Sequence, residues 1–349
     1  MTLRTEHRRL SLTLERPFTI ARGTTTERTV HVVSIRDDDG SVGRGAAAPA
    51  PYYGETPETV ADVLPSYLEI ARSIGDPHAL DRIERTCRET EGEHPSALAA
   101  VTTALLDLVT TRLGLPLYQY LGLDPQRAPP TAHTVGIASP GEMEAAAAEA
   151  AGRGFQILKV KLGADDPLES LQAVRSGAPN ATLVGDANGA WSPAEALEHI
   201  EALADCGLSH IEQPVPGPDL EGLEHVHEHS PIPVLADESC VTAADVPQVA
   251  GRCSGVVLKL MKCGGPPAAI RLAHTARAHG LSVMGGCMVE SNVSIAAAWH
   301  LAPLFDFADL DGALLLADDP YNGVPLDGDT PLLAAPERSG TGVIRGNND

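Results

Sequence analysis

The chain has 349 residues, 43% of them hydrophobic, and a formal net charge of -22. That length accommodates one large or two ordinary domains. The surplus of 47 acidic over 25 basic side chains excludes a nucleic-acid or anionic-membrane partner, which it would repel.

The opening stretch MTLRTEHRRLSLTLERPF is charged throughout and lacks the apolar core of a signal peptide. No apolar run approaches the roughly 18 residues of a membrane span, so the expected location is the cytoplasm. The six cysteines, Cys87, Cys206, Cys240, Cys253, Cys263 and Cys287, show no Cys-x-x-Cys spacing and read as reduced residues.

Residues 2–48 read as β structure. LRTEHRRLSLTLERPF is a strand with an irregular end, and RTVHVVSIRDDDGSVGRGAAA is a hairpin turning at Asp38-Asp39-Gly40. Between them FTIARGTTTE reads as a Gly- and Thr-rich loop carrying Arg22. A second loop, PAPYYGETPE, holds Tyr52, Tyr53 and Glu55. Such loops suit a lid over a site, or an ordinary surface connection. Three helices follow: one opened by Thr56-Pro57, one behind Asp76, and the apolar HPSALAAVTTALLDLVTTRLG closed by Gly114. The segment GLPLYQYLGLDPQRAPP then breaks the pattern, which places a domain boundary near residue 125.

From Thr131 the chain alternates β and α. Strands are expected near 132–138, 156–162, 182–187, 209–212, 233–236, 255–260, 282–287 and 305–310, and helices near 140–152, 166–177, 193–206, 219–229, 242–250, 264–279 and 291–302. This alternation means a parallel sheet with helical crossovers, and eight strands favour a closed barrel. The Gly-rich phosphate motifs of Rossmann and P-loop folds are absent from the sequence.

Charged side chains close several of these strands. Asp186 ends ATLVGD, Glu212 follows LSHI and Asp237 follows IPVLA, at intervals of 26 and 25 residues. One strand, one helix and two short loops use about that many residues, so the acids fall at the same end of successive strands. Converging carboxylates repel unless a cation stands between them, and an all-oxygen set points to Mg²⁺. Three unrelated surface acids are the plainer alternative. Lys159 and Lys161, two apart in QILKVKLG, share a strand face. Crowding two ammonium groups disfavours protonation of one and makes a base available, whereas a solvated edge strand would be the bland reading. Lys259 closes GVVLK four strands further on, opposite Lys161 in an eight-strand ring. Two lysines flanking a metal suit proton transfer at a carbon beside a carboxylate: one takes the proton, Mg²⁺ holds the enediolate, the other returns a proton. Lys262 reads as loop or helix start. Asp309 and Asp311 in DFADLDG form a pair that a substrate ammonium would neutralise, or are surface acids near a turn. Glu290 ends the seventh strand as a supporting group or a substrate contact.

The set KVK, DANGAW, IEQP, ADES and KLMKCGG resembles the enolase superfamily, in its muconate-lactonizing subgroup, over nearly the whole chain from RPFTIAR past Asp311. The resemblance implies an α/β fold: a modified TIM (β/α)7-8 barrel over residues 126–312, capped by an N-terminal α+β domain over 1–125 that the C-terminal tail, 313–349, returns to complete. It implies one Mg²⁺ per subunit on Asp186, Glu212 and Asp237, with Lys161 and Lys259 as the acid/base pair and Lys159 adjusting Lys161. Asn188 and Glu238, each beside a ligand, would support the ligands. The DLD pair is similar to the DxD motif of dipeptide epimerases of the L-Ala-D/L-Glu type, where it grips the substrate's free α-ammonium. That implies an isomerase working by 1,1-proton transfer at the α-carbon of a dipeptide's C-terminal residue. Thr134, Glu290, Tyr53 and Arg22 would be further substrate contacts, Arg22 facing an acidic second side chain. Muconate cycloisomerization, o-succinylbenzoate synthesis and N-acylamino-acid racemization are the alternatives within the subgroup, and their substrates lack a free ammonium. A non-catalytic barrel is the alternative outside it, and would need neither lysine. A homo-oligomer is compatible with the resemblance.

Overall fold

The structure, a computed structural model, describes residues 2–163, 165–334 and 338–346. It opens with an antiparallel sheet of β1 (Arg4–Ile20), β2 (Gly23–Arg36) and β3 (Val42–Ala47). The segment expected as a loop around Arg22 is paired instead. Phe18 faces Thr25, Thr19 faces Thr24 and Ile20 faces Gly23, leaving only Ala21 and Arg22 at the turn. Its Thr and Ile side chains favour the extended backbone, and the irregularity is a bulge between Thr13 and Phe18. Arg22 therefore rides on the tip of a two-stranded ribbon. The sheet is covered on both faces. Val30 and Val32 join the main core, while Val33 and Ile35 join a second cluster under α1 (Pro57–Ile74), α2 (Leu80–Glu91) and α3 (Pro95–Leu113). Neighbouring strand residues point to opposite faces, which accounts for Val32 and Val33 being buried side by side. The backbone of α3 lies directly on β3. A Cβ on Gly43 would stand 2.0 Å from the Ala104 carbonyl oxygen, and one on Gly45 2.0 Å from that of Ala100. By length and composition α3 could cross a membrane, contrary to the expectation, but 83% of it is buried inside the protein, as befits a core helix.

After α4 (Leu117–Tyr120) the parallel strands run in chain order around one sheet: β4 (His133–Val135), β5 (Ile157–Lys161), β6 (Thr182–Asp186), β7 (Leu208–Glu212), β8 (Val234–Ala236), β9 (Gly255–Lys259), β10 (Ser282–Gly286) and β11 (Phe307–Ala308). A bridge from Thr131 to Ala308, with the Ala132 N–H donating to the Ala308 carbonyl at 2.8 Å, joins the two ends into a ring. The crossovers carry α5 (Pro140–Gly152), α6 (Pro167–Gly177), α7 (Pro193–Asp205), α8 (Leu220–His229), α9 (Val246–Val249), α10 (Leu260–Cys263), α11 (Pro266–Ala278) and α12 (Asn292–Leu301).

Two helices differ from the sequence expectation. The one expected over 242–250 shrinks to α9, because the Asp245 carboxylate accepts the N–H groups of Val241 and Thr242 and holds that segment in a turn. The one expected over 264–279 begins earlier and breaks at Gly264-Gly265, both at positive φ (103° and 93°), separating α10 from α11. Inside the ring Leu235, Val257 and Met284 form a small apolar floor beneath the charged mouth. Beyond the barrel, the Thr341 N–H donates to Asp107 of α3 at 2.7 Å and the Leu117 N–H to the Gly340 carbonyl at 2.8 Å. The C-terminal segment thus ties α3 to the start of α4.

Candidate active site

Parallel pairing turns the even spacing of the charged residues into one level of the ring. Lys161, Asp186 and Glu212 are direct partners across β5, β6 and β7. Asp237 stands one residue past β8 and Lys259 ends β9. The side chains are buried and engage one another. Lys159 Nζ reaches Glu212 Oε2 at 2.7 Å, Asp309 Oδ2 at 2.8 Å and Asp186 Oδ2 at 3.1 Å. Lys161 Nζ bonds Asp186 Oδ2 at 2.6 Å, and Lys259 Nζ bonds Asp237 Oδ2 at 2.6 Å with Glu212 Oε1 at 3.8 Å. Lys161 and Lys259 lie four strands apart, so the carboxylates stand between lysines on opposite walls.

The electrostatics follow from this pairing. Burial alone would lower Lys159, but Asp186, Asp309 and Glu212 together raise it well above the ordinary lysine value. Lys159 is a fixed cation that gathers three acids. Lys259 is likewise raised, Asp237 and Glu212 outweighing burial. Asp186 and Asp237 stay below the usual carboxylate range against burial, through Lys159 and Lys161 in one case and Lys259 and Lys262 in the other. Glu212 goes the other way, pushed up to about 8 by burial and by Asp186.

The remaining predicted residues gather around this cluster, though not as equals. Asp309 gives Oδ2 to Lys159 and accepts the Thr134 hydroxyl on Oδ1 at 3.2 Å. Asp311 caps the Thr134 N–H at 2.6 Å and is pushed up to about 7 by burial and by Asp309. The two acids are thus distinct: Asp309 bonds Lys159 directly, while Asp311 accepts from Thr134 and stands 3.6 Å from His133 Nδ1, with Lys159 a weaker influence. Glu290 accepts the Met288 N–H at 2.9 Å and burial pushes it up to about 7. Asn188 donates its backbone N–H to Asp186 Oδ1 at 2.8 Å, and the Tyr53 hydroxyl stands 3.5 Å from Asp237 Oδ1. Arg22 Nη1 pairs with Glu238 Oε1 at 2.8 Å. Glu55, read as part of a lid, is buried and accepts the Ser96 N–H at 2.9 Å near the start of α3.

Two residues escaped the sequence reading. Lys262, taken for a loop or helix start, is fully buried in α10 and donates to both the Asp237 carbonyl and Oδ1 at 2.6 Å. Gln213 has a positive φ of 38° and bridges the loops after β7 and β8. Its Oε1 accepts the N–H groups of Asp237 (2.9 Å) and Ser239 (3.1 Å), and its Nε2 donates to the Val215 carbonyl and the Ser239 hydroxyl. Asn188, at φ 48°, shares this strained conformation. Non-glycine residues held there mark sites where the surroundings over-determine the backbone. The signal in the sequence was position alone, a polar residue directly after a strand-ending acid.

The donor set fits a hard divalent cation. Seven carboxyl groups (Asp186, Glu212, Asp237, Glu238, Glu290, Asp309 and Asp311) face four lysines and Arg22, two more acids than cations. Glu212 Oε1 is buried without a hydrogen-bond partner. All the oxygens are of the kind that calcium- and magnesium-like ions prefer. Among the described residues no three ligating groups already converge at metal-binding spacing, because the lysines reach in between the carboxylates. Two large cavities flank the cluster. One of about 710 Å³ lies between the end of β1, β4 and α5, and one of about 740 Å³ lies behind Tyr53 and Lys262 against the first domain's helices.

Residues 4–122 match the mandelate racemase/muconate lactonizing enzyme N-terminal domain, and residues 142–344 match the enolase C-terminal domain-like family. The chain belongs to the enolase superfamily. Among curated members, the L-Ala-D/L-Glu epimerase of Bacteroides thetaiotaomicron is 39% identical over 318 residues, covering 90% of this chain and 81% of that protein. Among solved superfamily structures, the dipeptide epimerase of Enterococcus faecalis V583, complexed with Mg and L-Leu-L-Tyr, aligns with a TM-score of 0.92 at 32% identity, over 98% of this chain and 99% of that one. The N-succinyl Arg/Lys racemase of Bacillus cereus aligns with a TM-score of 0.93 at 27% identity, over 99% and 96%.

Proposed function

We propose that this enolase-superfamily member is an Mg²⁺-dependent dipeptide epimerase, an isomerase that inverts the α-carbon of a dipeptide's C-terminal residue. The observation that carries the reading is the opposition of Lys161 and Lys259 across Asp186, Glu212 and Asp237. Inversion needs a proton removed from one face of a carbon and returned to the other. Two amines on opposite walls provide that, one entering neutral and the other charged, and they exchange states at each turnover. Bound on Asp186, Glu212 and Asp237, Mg²⁺ would supply positive charge to the substrate carboxylate and take up anionic charge that otherwise surrounds the two lysines. Lys159 keeps its proton and holds Asp186, Glu212 and Asp309 in register. Lys262 and Gln213 fix the side chain and backbone of Asp237. Asp311, buried without a full counter-charge, receives the substrate's α-ammonium.

The test is a dipeptide library incubated with the protein and Mg²⁺ in D₂O, read by ¹H NMR and mass spectrometry. The reading expects one deuterium at the C-terminal residue's α-carbon, with inversion. No exchange with any dipeptide contradicts it. Exchange with N-acylated amino acids instead would assign the chain to the racemase branch and leave Asp311 without a role.

A further inference from the structure

Arg22 reaches the mouth from the ribbon tip and is held there by three partners. Its Nη1 contacts Glu238 Oε1 at 2.8 Å and the Asn188 carbonyl at 2.9 Å, and its guanidinium lies over the Tyr52 ring, 4.7 Å from the centroid. The Glu238 side chain is 1% exposed, and neither of its oxygens accepts a hydrogen bond from any other described group. Drawing Arg22 away would leave a bare carboxylate buried beside Asp237, an arrangement far costlier than a broken surface pair. The other cations of the mouth are also engaged: Lys159, Lys161, Lys259 and Lys262 each contact a carboxylate at 2.8 Å or less. A second acidic group entering on a substrate side chain would therefore meet cations whose charge is already shared with a buried acid, Arg22 included.

Resting on the dipeptide reading above, we infer that Arg22 is a latch that pins the ribbon to the loops after β6 and β8, not a receptor for an acidic side chain, and that the epimerised residue carries an uncharged side chain. The wall beside the latch suits this. Tyr52 and Tyr53 stand edge to face at 5.1 Å, presenting aromatic surface next to a neutralised charge pair.

L-Ala-L-Glu and L-Ala-L-Gln differ in one charge and little in shape, so they isolate the point. In the wild-type protein with Mg²⁺, both kcat/KM from deuterium incorporation and affinity from calorimetry should favour L-Ala-L-Gln by at least about tenfold. Glu238→Gln, which frees the guanidinium charge, should move that ratio toward L-Ala-L-Glu by about tenfold. Arg22→Met should raise KM for both dipeptides alike and leave the ratio within about threefold. Equal or better binding of L-Ala-L-Glu by the wild type, or an Arg22→Met loss confined to L-Ala-L-Glu, overturns the inference. The affinity ratio reads it even where turnover is absent, whereas absence of deuterium with every dipeptide overturns the epimerase reading instead.

Discussion

Gln213→Ala separates a site that is merely charged from one that is built. The substitution removes the acceptor of the Asp237 and Ser239 N–H groups and the donor to Val215 and Ser239, four hydrogen bonds in a fully buried setting. It leaves the backbone at φ 38° without the contacts that hold it there. Each buried N–H that loses its partner costs about 1–3 kcal/mol. Water entering the space offsets part of that, so a net loss of about 3 kcal/mol is expected. For a chain of 349 residues that is a fall in Tm of about 4 °C by circular dichroism. The effect on function is larger than the stability loss implies, because the freed N–H belongs to Asp237, one of the proposed Mg²⁺ ligands. A displacement of about 1 Å in a reacting group costs on the order of 100-fold in rate. Titration with Mn²⁺ followed by electron paramagnetic resonance, well below the melting transition, should show at least tenfold weaker binding. Gln213→Glu should fare little better, since it turns a carboxylate oxygen toward the Val215 carbonyl. A Gln213→Ala protein that melts within about 1 °C of wild type, binds Mn²⁺ equally and keeps its kcat/KM would refute the positioning role.

Two further outcomes follow from the same geometry. Asp311→Asn should raise KM for dipeptides by about 10- to 100-fold with kcat changed far less, because the proposed contact is with an ammonium remote from the reacting carbon; unchanged steady-state kinetics would remove Asp311 from the substrate site. His300 is buried, accepts the Tyr118 N–H on Nδ1 at 3.1 Å, and is pushed down by burial from 6.5 to about 4. The unfolded chain therefore binds the proton more readily, so the His300 contribution is complete above about pH 6.5 and is lost as the pH falls toward 4. It amounts to at most about 3 kcal/mol. Urea melts of His300→Asn should show a shallower decline over that window, and an unaltered slope would mean that His300 does not titrate on unfolding.

The barrel was legible because one beat recurs. Asp186, Glu212 and Asp237 sit at near-constant spacing, and parallel pairing has to convert constant spacing into a common level. The apolar strands that carry them are buried on both faces, so they read as continuous hydrophobic runs. What the sequence concealed depends on contacts between distant segments. FTIARGTTTE looked like a loop because Gly23 and three threonines resemble turn chemistry, yet pairing with Phe18–Ile20 made it strand. Lys262 lies three residues past Lys259, outside strand periodicity, and only the one-turn helix α10 swings it back under Asp237. The DLD motif suggested two equivalent acids, but Lys159 on the neighbouring wall claims one of them. Nor could the sequence show that Lys159 would be the one to stay charged, because the three carboxylates that hold its proton come from other strands.

The most direct test of the two-lysine account is α-proton exchange in single-lysine variants, measured separately on each epimer of the preferred dipeptide. Lys161→Ala and Lys259→Ala should each bind Mn²⁺ and fail to epimerise. Each should also exchange the α-proton of one epimer only, the two variants choosing opposite epimers. Full epimerisation by either variant, or both variants exchanging the same epimer, would contradict the assignment of one lysine to each face.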